Sequence, residues 1–385
     1  MEPVGKEVDI NWNGRRVRAF VPALLRDRDF TLDVATVIRT ATATNEIAHA
    51  AESLLSEYEP LVRLLLRAEG IASSYIEGIT APVIDVVLSE NLLGAHGSMN
   101  AQWVARNLHA VSDATDAAAN NSPLTAETLC EWHRILMSEG PTPHRYVGVF
   151  RTEQGWIGGT SPLEAHPVTP PASAIAELLE DLVDFVNRVD LDPIAQAAVS
   201  HAQFEIIHPF SDGDGRVGRI LVAWLLTRRL SLVVAPPVSV AIAADVAGYS
   251  SGLVLFRYSE HRQWISWFAD AVANGAKAQR SLVAHVEQLK QRWRDQLTHT
   301  DRKIRSDAAV FAALDLLPRH LVLTSQALCD ELGVSRKTAL ATLYRLVALG
   351  ILTEQGTKAR TSPGQPATVF VSGELLGLVG STPLR

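Results

Sequence analysis

One stretch limits what this chain can fold into more than any other. His208-Pro209-Phe210-Ser211-Asp212-Gly213-Asp214-Gly215-Arg216-Val217-Gly218-Arg219 stands between two apolar segments, 193–207 and 220–226, whose apolar residues suit helix rather than strand. The run from Gly213 to Gly218 satisfies G-x-G-x-x-G, but a dinucleotide site needs that fingerprint after a parallel strand, with an acidic residue about twenty positions on. Here a helical pattern precedes it and residues 233–240 hold no carboxylate. A doubly wound α/β sheet is therefore set aside. Helical spacing also covers 31–66, 99–119 and 125–137, the last after a Ser-Pro start. Residues 148–171 change to Gly, Trp, Ile and paired Pro, which suits a short hairpin or extended flap, and 8–21 alternates enough to be extended.

Each residue type in the loop has a physical use. Gly213 and Gly215 let backbone N–H groups turn toward a ligand, and the following helix adds its positive N-terminal end, which together suit phosphate. Arg216 and Arg219 add charge-assisted bonds to further phosphates. Asp212 offers a hard oxygen for Mg2+. His208 is the side chain here that accepts a proton near neutral pH, so it is the candidate general base. The bland alternative is a helix-to-helix turn with a buried His and surface arginines, but a turn has no need for this concentration of Gly, Asp, Arg and His.

Composition narrows the setting. At 385 residues the chain is long enough for roughly two or three compact units. Its charge of −7 is uneven: residues 303–385 carry nine basic and six acidic groups, +3, which leaves −10 for the remainder. Cys130 and Cys329 lie far apart, so neither a disulfide framework nor a cysteine-rich zinc site is expected. The first fourteen residues lack the basic-then-apolar order of a signal peptide, and no apolar run approaches about eighteen residues. A cytoplasmic protein without a membrane partner is the expectation.

The loop resembles the signature of Fic-domain proteins, His-Pro-Phe-x-Asp/Glu-Gly-Asn-Gly/Lys-Arg-x-x-Arg, a family that commonly transfers AMP from ATP to hydroxyl side chains of target proteins. It matches at every position but Asp214, where relatives usually have Asn. The resemblance implies ATP and Mg2+ as cofactors, His208 deprotonating the target hydroxyl, Asp212 holding Mg2+, and Gly213 and Gly215 lining the anion hole. It implies Arg216 and Arg219 meeting the outer phosphates, with Phe210 anchoring the loop. Two like charges 4 Å apart repel by about 4 kcal/mol at an effective dielectric near 20. Asp214 therefore shares the metal, points away, or weakens AMP transfer.

Two further segments resemble the same family. Gly148-Val149-Phe150-Arg151, then Gly155-Trp156-Ile157-Gly158-Gly159 and Pro167 to Pro171, resemble the flap beside the Fic site, whose exposed edge pairs with an extended target segment. Ser73-Ser74-Tyr75-Ile76-Glu77-Gly78 matches the inhibitory-helix pattern Ser/Thr-x-x-x-Glu-Gly/Asn. By that resemblance Glu77 pairs with Arg219 across the nucleotide pocket; a solvated carboxylate and a merely stabilising ion pair are its alternatives. The resemblance covers about residues 41–279.

Other constellations carry less. Gly248-Tyr249-Ser250-Ser251-Gly252 satisfies the G-x-S-x-G nucleophile elbow, but helical surroundings favour a helical turn near the nucleotide pocket, with Tyr249 on it. His133 and His201 lack metal-ligand spacing and read as ordinary histidines, and Trp132, Trp224, Trp264 and Trp267 read as core. Residues 283–303, with Val286, Leu289 and Trp293 at helical spacing, read as a connecting helix. Beyond it, helices over 307–317, 325–332 and 335–349 and a ribbon of 351–354 with 369–372 resemble a winged helix-turn-helix. Arg336, Lys337, Thr338 and Arg345 would face DNA, with Lys358 and Arg360 on the wing; docking or dimerisation is the alternative.

The expected fold is mainly α, a Fic-type helical core with a short β-hairpin flap plus a C-terminal winged helix-turn-helix. Its units are an N-terminal segment 1–40, a helical region with the inhibitory helix 41–95, a catalytic core 96–280, a connecting helix 281–302 and a winged helix 303–376. The expected activity is adenylyl transfer to a Ser, Thr or Tyr hydroxyl of a protein, itself included, restrained by Glu77 and Ser73, with homodimerisation left open. The runner-up is a DNA-associated regulator with a degenerate nucleotide site.

Overall fold

The computed structural model describes residues 3–54, 59–91, 98–138, 140–165, 167–300, 309–362 and 365–380. The chain opens with an antiparallel hairpin, β1 (Gly5–Trp12) and β2 (Arg15–Pro22). Asn13 and Gly14 form its two-residue turn, both at positive φ, 49° and 80°; such a turn matches the strand twist and selects Asn-Gly. The extended stretch expected over 8–21 is thus folded back on itself.

Helices follow: α1 (Val34–Glu52), α2 (Glu59–Ile76), α3 (Val83–Asn91), α4 (Met99–Ala119), α5 (Ala126–Met137), α6 (Ile175–Asn187), α7 (Pro193–Ile207), α8 (Asp214–Arg229), α9 (Val238–Ala244), α10 (Val246–Arg257) and α11 (His261–Thr300). Local chemistry starts several of them. Asp33 accepts from Thr36 N–H at α1, Thr125 from Thr128 N–H at α5, and Asp192 from the N–H groups of Ile194 and Ala195 at α7, where Pro193 sits in the first turn. The single helical stretch expected over 31–66 is two helices.

Nearly every residue of α7 and the middle of α8 is buried, as befits helices apolar on all sides at the centre of a bundle. Helices α1, α2, α4, α5, α6, α10 and α11 pack against them. Trp132, Trp224 and Trp264 are buried in this core, while Trp267 is half-buried at its edge. Among the described residues between 148 and 171 there is no strand pair: one antiparallel bridge joins Trp156 to Val168, so the region is an extended flap and not a hairpin.

The segment expected as a separate connecting helix is the distal half of α11, a 40-residue helix spanning roughly 60 Å. Its Val286, Leu289 and Trp293 enter a second core formed with α12 (Ala309–Leu316), β3 (Val322–Leu323), α13 (Ser325–Leu332), α14 (Arg336–Ala348), β4 (Thr353–Ser362), β5 (Gln365–Val371) and α15 (Gly373–Gly380). The strands form an antiparallel sheet in the order β3-β5-β4. Gly333, at φ 64°, ends α13 and Ser335 caps α14. The ribbon is longer than expected and gains a third strand, and α15 was not anticipated. This second core also takes Leu61, Leu64 and Leu65 of α2 and Val87 of α3. Arg67 of α2, buried, donates to Arg319 O at 2.8 Å and pairs with Glu90 of α3 at 2.9 Å. No single helix among the described residues is long and apolar enough to cross a membrane.

Candidate active site

The site forms where α7 stops and α8 starts. His208 ends α7 in the left-handed region, φ 50° and ψ 61°, and swings the chain into a loop that Phe210 pins down. Phe210 is 1% exposed and stacks on His133 at 4.0 Å between ring centroids, with Phe150 at 5.2 Å. Gly213 returns the chain at φ 82°, and a side chain there would meet Met137 Sδ at 2.9 Å. Helix α8 then begins at Asp214, so its first N–H groups face the loop.

Two buried arginines stand on the first turns of α8. Arg219 donates from Nε to Ser73 Oγ at 2.9 Å, and from Nη2 to Ser73 O and Glu77 Oε1, both at 2.8 Å. Its Nη1 has no acceptor among the described residues, nor has Arg216 Nε; Arg216 Nη2 touches only the sulfur of Met137 at 3.4 Å. A Cβ on Gly215 would collide with Glu77 Oε1 and lie 3.2 Å from Arg219 Nη1. The Glu77 carboxylate therefore lies over the glycine of the anion loop, beside the spare guanidinium edge. Burial works to raise the Glu77 pKa, but Arg219 outweighs it and the carboxyl is held below its ordinary value. Burial likewise works against the Arg219 charge, and Glu77 reverses that.

On the other side of the loop, burial lowers the His208 pKa, which leaves the imidazole neutral at pH 7 and able to accept a proton. Its Nε2 lies 3.2 Å from Asp214 Oδ2. Asp214 is turned into the loop: it is 1% exposed and its Oδ1 accepts from Phe210 N–H at 2.9 Å. Burial raises its pKa well above the ordinary carboxylate range. The Asp214 side chain is thus turned into the loop, beside His208, and not out to solvent.

Asp212 is exposed at the loop's tip, and its Oδ2 accepts from Thr142 Oγ1 at 3.1 Å. Among the described residues no group of three or more His, Cys, Asp or Glu is placed to hold a metal. Asp212 would offer a single carboxylate to an Mg2+ ion whose remaining shell came from phosphate oxygens and water.

The two histidines read as ordinary support this site from behind. His133 Nδ1 accepts from Gly148 N–H at 2.8 Å, so its Nε2 carries the proton and donates to Asp212 O at 3.0 Å. Burial pulls its pKa down to about 4, which keeps that arrangement neutral. His201, lowered to about 3 by burial, bonds Tyr249 Oη at 2.9 Å. Tyr249 is 6% exposed. Glu205, three residues before His208 on α7, is raised to about 7 by burial. Ser250 is exposed within α10, so the strand-to-helix elbow of a hydrolase is absent there.

In the flap, Ile157 N–H donates to Pro167 O at 3.2 Å, Ile157 is exposed, and Gly158 lies in the open at φ 73°. The N-terminal hairpin backs it: Phe20 N–H donates to Val168 O at 3.0 Å, and Trp12 meets Trp156 edge-on at 5.4 Å. Far from the loop, Arg336 and Lys337 are exposed on the first turn of α14 and Arg345 is half-buried on its last. The side chains of Lys358 and Arg360 lie outside the described residues.

Known proteins resemble this chain in the segment that holds the loop and in fold. Residues 123–226 match the model of the Fic/DOC family. A protein adenylyltransferase, fic-1, of Caenorhabditis elegans is 29% identical over 131 residues, 33% of this chain and 23% of that protein. A probable protein adenylyltransferase of Aquifex aeolicus is 39% identical over 67 residues, 17% of this chain and 21% of that one. The matches thus span about a fifth to a quarter of those relatives' length. A Fic family protein from Desulfovibrio desulfuricans shares the fold over 89% of this chain and 98% of its own, with a TM-score of 0.54 at 23% identity. The family match over 123–226 holds the whole loop from His208 to Arg219, and the likeness to the solved structure is one of fold.

Proposed function

We propose that this protein is an adenylyltransferase that moves AMP from ATP to a Ser, Thr or Tyr hydroxyl of a protein and is restrained by Glu77. The observation that carries the reading is a spare, buried cationic edge, Arg219 Nη1 and Arg216 Nε, beside the start of α8 and across the loop from a neutral His208. Such an edge lacks an acceptor until an anion enters, and the names of the relatives point to ATP as its source. His208 takes the hydroxyl proton while the oxygen bonds to the α-phosphorus, and the bond from that phosphorus to pyrophosphate breaks. Arg216 and Arg219 orient the outer phosphates and offset the charge that gathers on the leaving pyrophosphate. Asp212 would hold Mg2+ together with the phosphates, and the ion would supply Lewis-acid neutralisation of the same charge. The flap edge at Trp156, Ile157 and Gly158 takes the target segment as an added strand.

Glu77 and Ser73 hold Arg219 against α2, so the outermost phosphate must displace the carboxylate before ATP seats productively. Transfer of label from α-labelled ATP tests the whole reading: it should rise in Glu77→Gly and vanish in Glu77→Gly with His208→Ala. Label retained in the double variant would overturn the assignment of His208.

A second reading adds to the first. Exposed Arg336, Lys337 and Thr338 open α14 directly after the Gly333 turn, an arrangement suited to a winged helix-turn-helix with α14 in the major groove. DNA affinity that falls with salt and with Arg336→Ala supports it; no binding at low salt leaves the unit a docking or dimerisation piece.

A further inference from the structure

In the sequence Arg151 reads as one residue of the flap. It is 4% exposed, and its guanidinium is spent on backbone carbonyls. Nε donates to His208 O at 2.8 Å, Nη1 to Glu153 O at 2.9 Å, and Nη2 to Pro170 O at 2.7 Å and Ile207 O at 3.4 Å. Its own N–H donates to Pro209 O at 2.9 Å.

These acceptors fall into two groups. Glu153 and Pro170 bracket the flap that carries Trp156, Ile157 and Gly158. Ile207, His208 and Pro209 are the last turn of α7 and the start of the loop, where carbonyls have no partner within the helix. His208 also sits at φ 50°, a region that costs a side-chain-bearing residue about 1 kcal/mol or more. Arg151 satisfies those carbonyls and holds that conformation. Gly155 makes room for it, since a Cβ there would lie 2.9 Å from Arg151 Nε and 2.8 Å from Thr169 Oγ1. None of these bonds touches Gly215, Arg216 or Arg219.

Resting on the adenylyl-transfer reading, we propose that Arg151 is a positioning residue that fixes the flap and the general base as one unit, coupling target docking to the aim of His208 while leaving ATP binding alone. Arg151 lines an open groove of about 470 Å³ with Phe150, Thr152, Ile175 and Leu179, so guanidinium in solution is the probe for restoring the donors that an Ala variant loses.

The test uses the full chain carrying Glu77→Gly, with Arg151→Ala and the milder Arg151→Lys added separately. Transfer should fall by about 10²-fold in the Ala variant, the scale set by a misplacement of about 1 Å, while the Kd for ATP moves less than about threefold. Millimolar guanidinium, far below the molar range that unfolds proteins, should restore part of the rate to the Ala variant and none to the Lys variant, whose side chain fills the space. Parallel loss of ATP affinity and transfer without rescue would make Arg151 a structural residue only and overturn the proposal, as would unchanged transfer. Hydrogen exchange reads the coupling without activity: the N–H of Ile157, bonded to Pro167 O, and that of His208, bonded to Phe204 O at 2.9 Å, should lose protection together and regain it with guanidinium. Independent exchange of the two overturns the proposal. If the parent transfers no AMP yet the two amides remain coupled, the adenylyl-transfer reading fails and the positioning role of Arg151 stands. Should the Ala variant not fold, the Lys variant carries the same exchange measurement.

Discussion

Replacing Glu77 by Gly should raise AMP transfer about 30-fold. Two unit charges 2.8 Å apart attract by about 6 kcal/mol at an effective dielectric near 20. That figure is gross, because the Arg219 side chain is 2% exposed but that of Glu77 is 37% exposed, and water screens the open side. A charge-assisted bond of this kind contributes about 1.5–3 kcal/mol net. At about 2 kcal/mol, roughly one molecule in 30 has Arg219 released at any moment. If ATP seats productively only on that fraction, removing the carboxylate lifts the rate by the reciprocal. The assay is initial-rate incorporation of α-labelled ATP at ATP well below saturation, where the released fraction sets the rate, with Glu77→Gln as a control that keeps an acceptor without the charge and should fall between. Because the folded Glu77 pKa is depressed, the pair is intact above the ordinary carboxylate range and lost only as pH falls through the lowered value. The ratio of variant to natural rate should therefore stay flat between about pH 6 and 8. A gain under about threefold, with both proteins folded and binding ATP, would refute the reasoning.

Three other outcomes follow from named contacts. His208→Ala should cut transfer by about 10²-fold or more while calorimetry finds ATP affinity within about threefold, since the cationic edge lies on α8. Glu205 is raised from 4.5 to about 7 by burial, worth about 3 kcal/mol; its folded pKa lies above the unfolded one, so stability is full below 4.5 and lost as pH rises through 7. Urea unfolding of Glu205→Gln should remove that decline, and an unchanged pH profile would count against it. Arg67→Met strands Glu90, whose side chain is 7% exposed, and should cost about 3 kcal/mol in the same assay, the low end for a broken buried pair because Arg63 still reaches Glu90 at 3.2 Å.

Local signals in the chain were enough to place much of the framework. Helices α4 and α7 run over the residues that helical spacing marks, 99–119 and 193–207, and Ser335 caps α14 as its position before Arg336 implies. Such features depend on neighbours within about four residues, so the sequence displays them directly. The loop from His208 to Arg219 was legible for the same reason: its chemistry is contiguous. The Asn13-Gly14 turn carries an equally local signal inside an alternating stretch.

What escaped the sequence was set by packing across long separations. Nothing near Val286 reveals that α11 runs unbroken between two cores, or that Leu61, Leu64 and Leu65 of α2 pack against the C-terminal unit. The inward turn of Asp214 depends on Phe210 N–H and His208 closing around it. His133 and Arg151 owe their roles to bonds with backbone groups of Gly148, Asp212, His208 and Pro170. Every residue has a carbonyl, so an acceptor of that kind leaves no mark in residue identity; only the folded chain decides which carbonyls a buried donor meets.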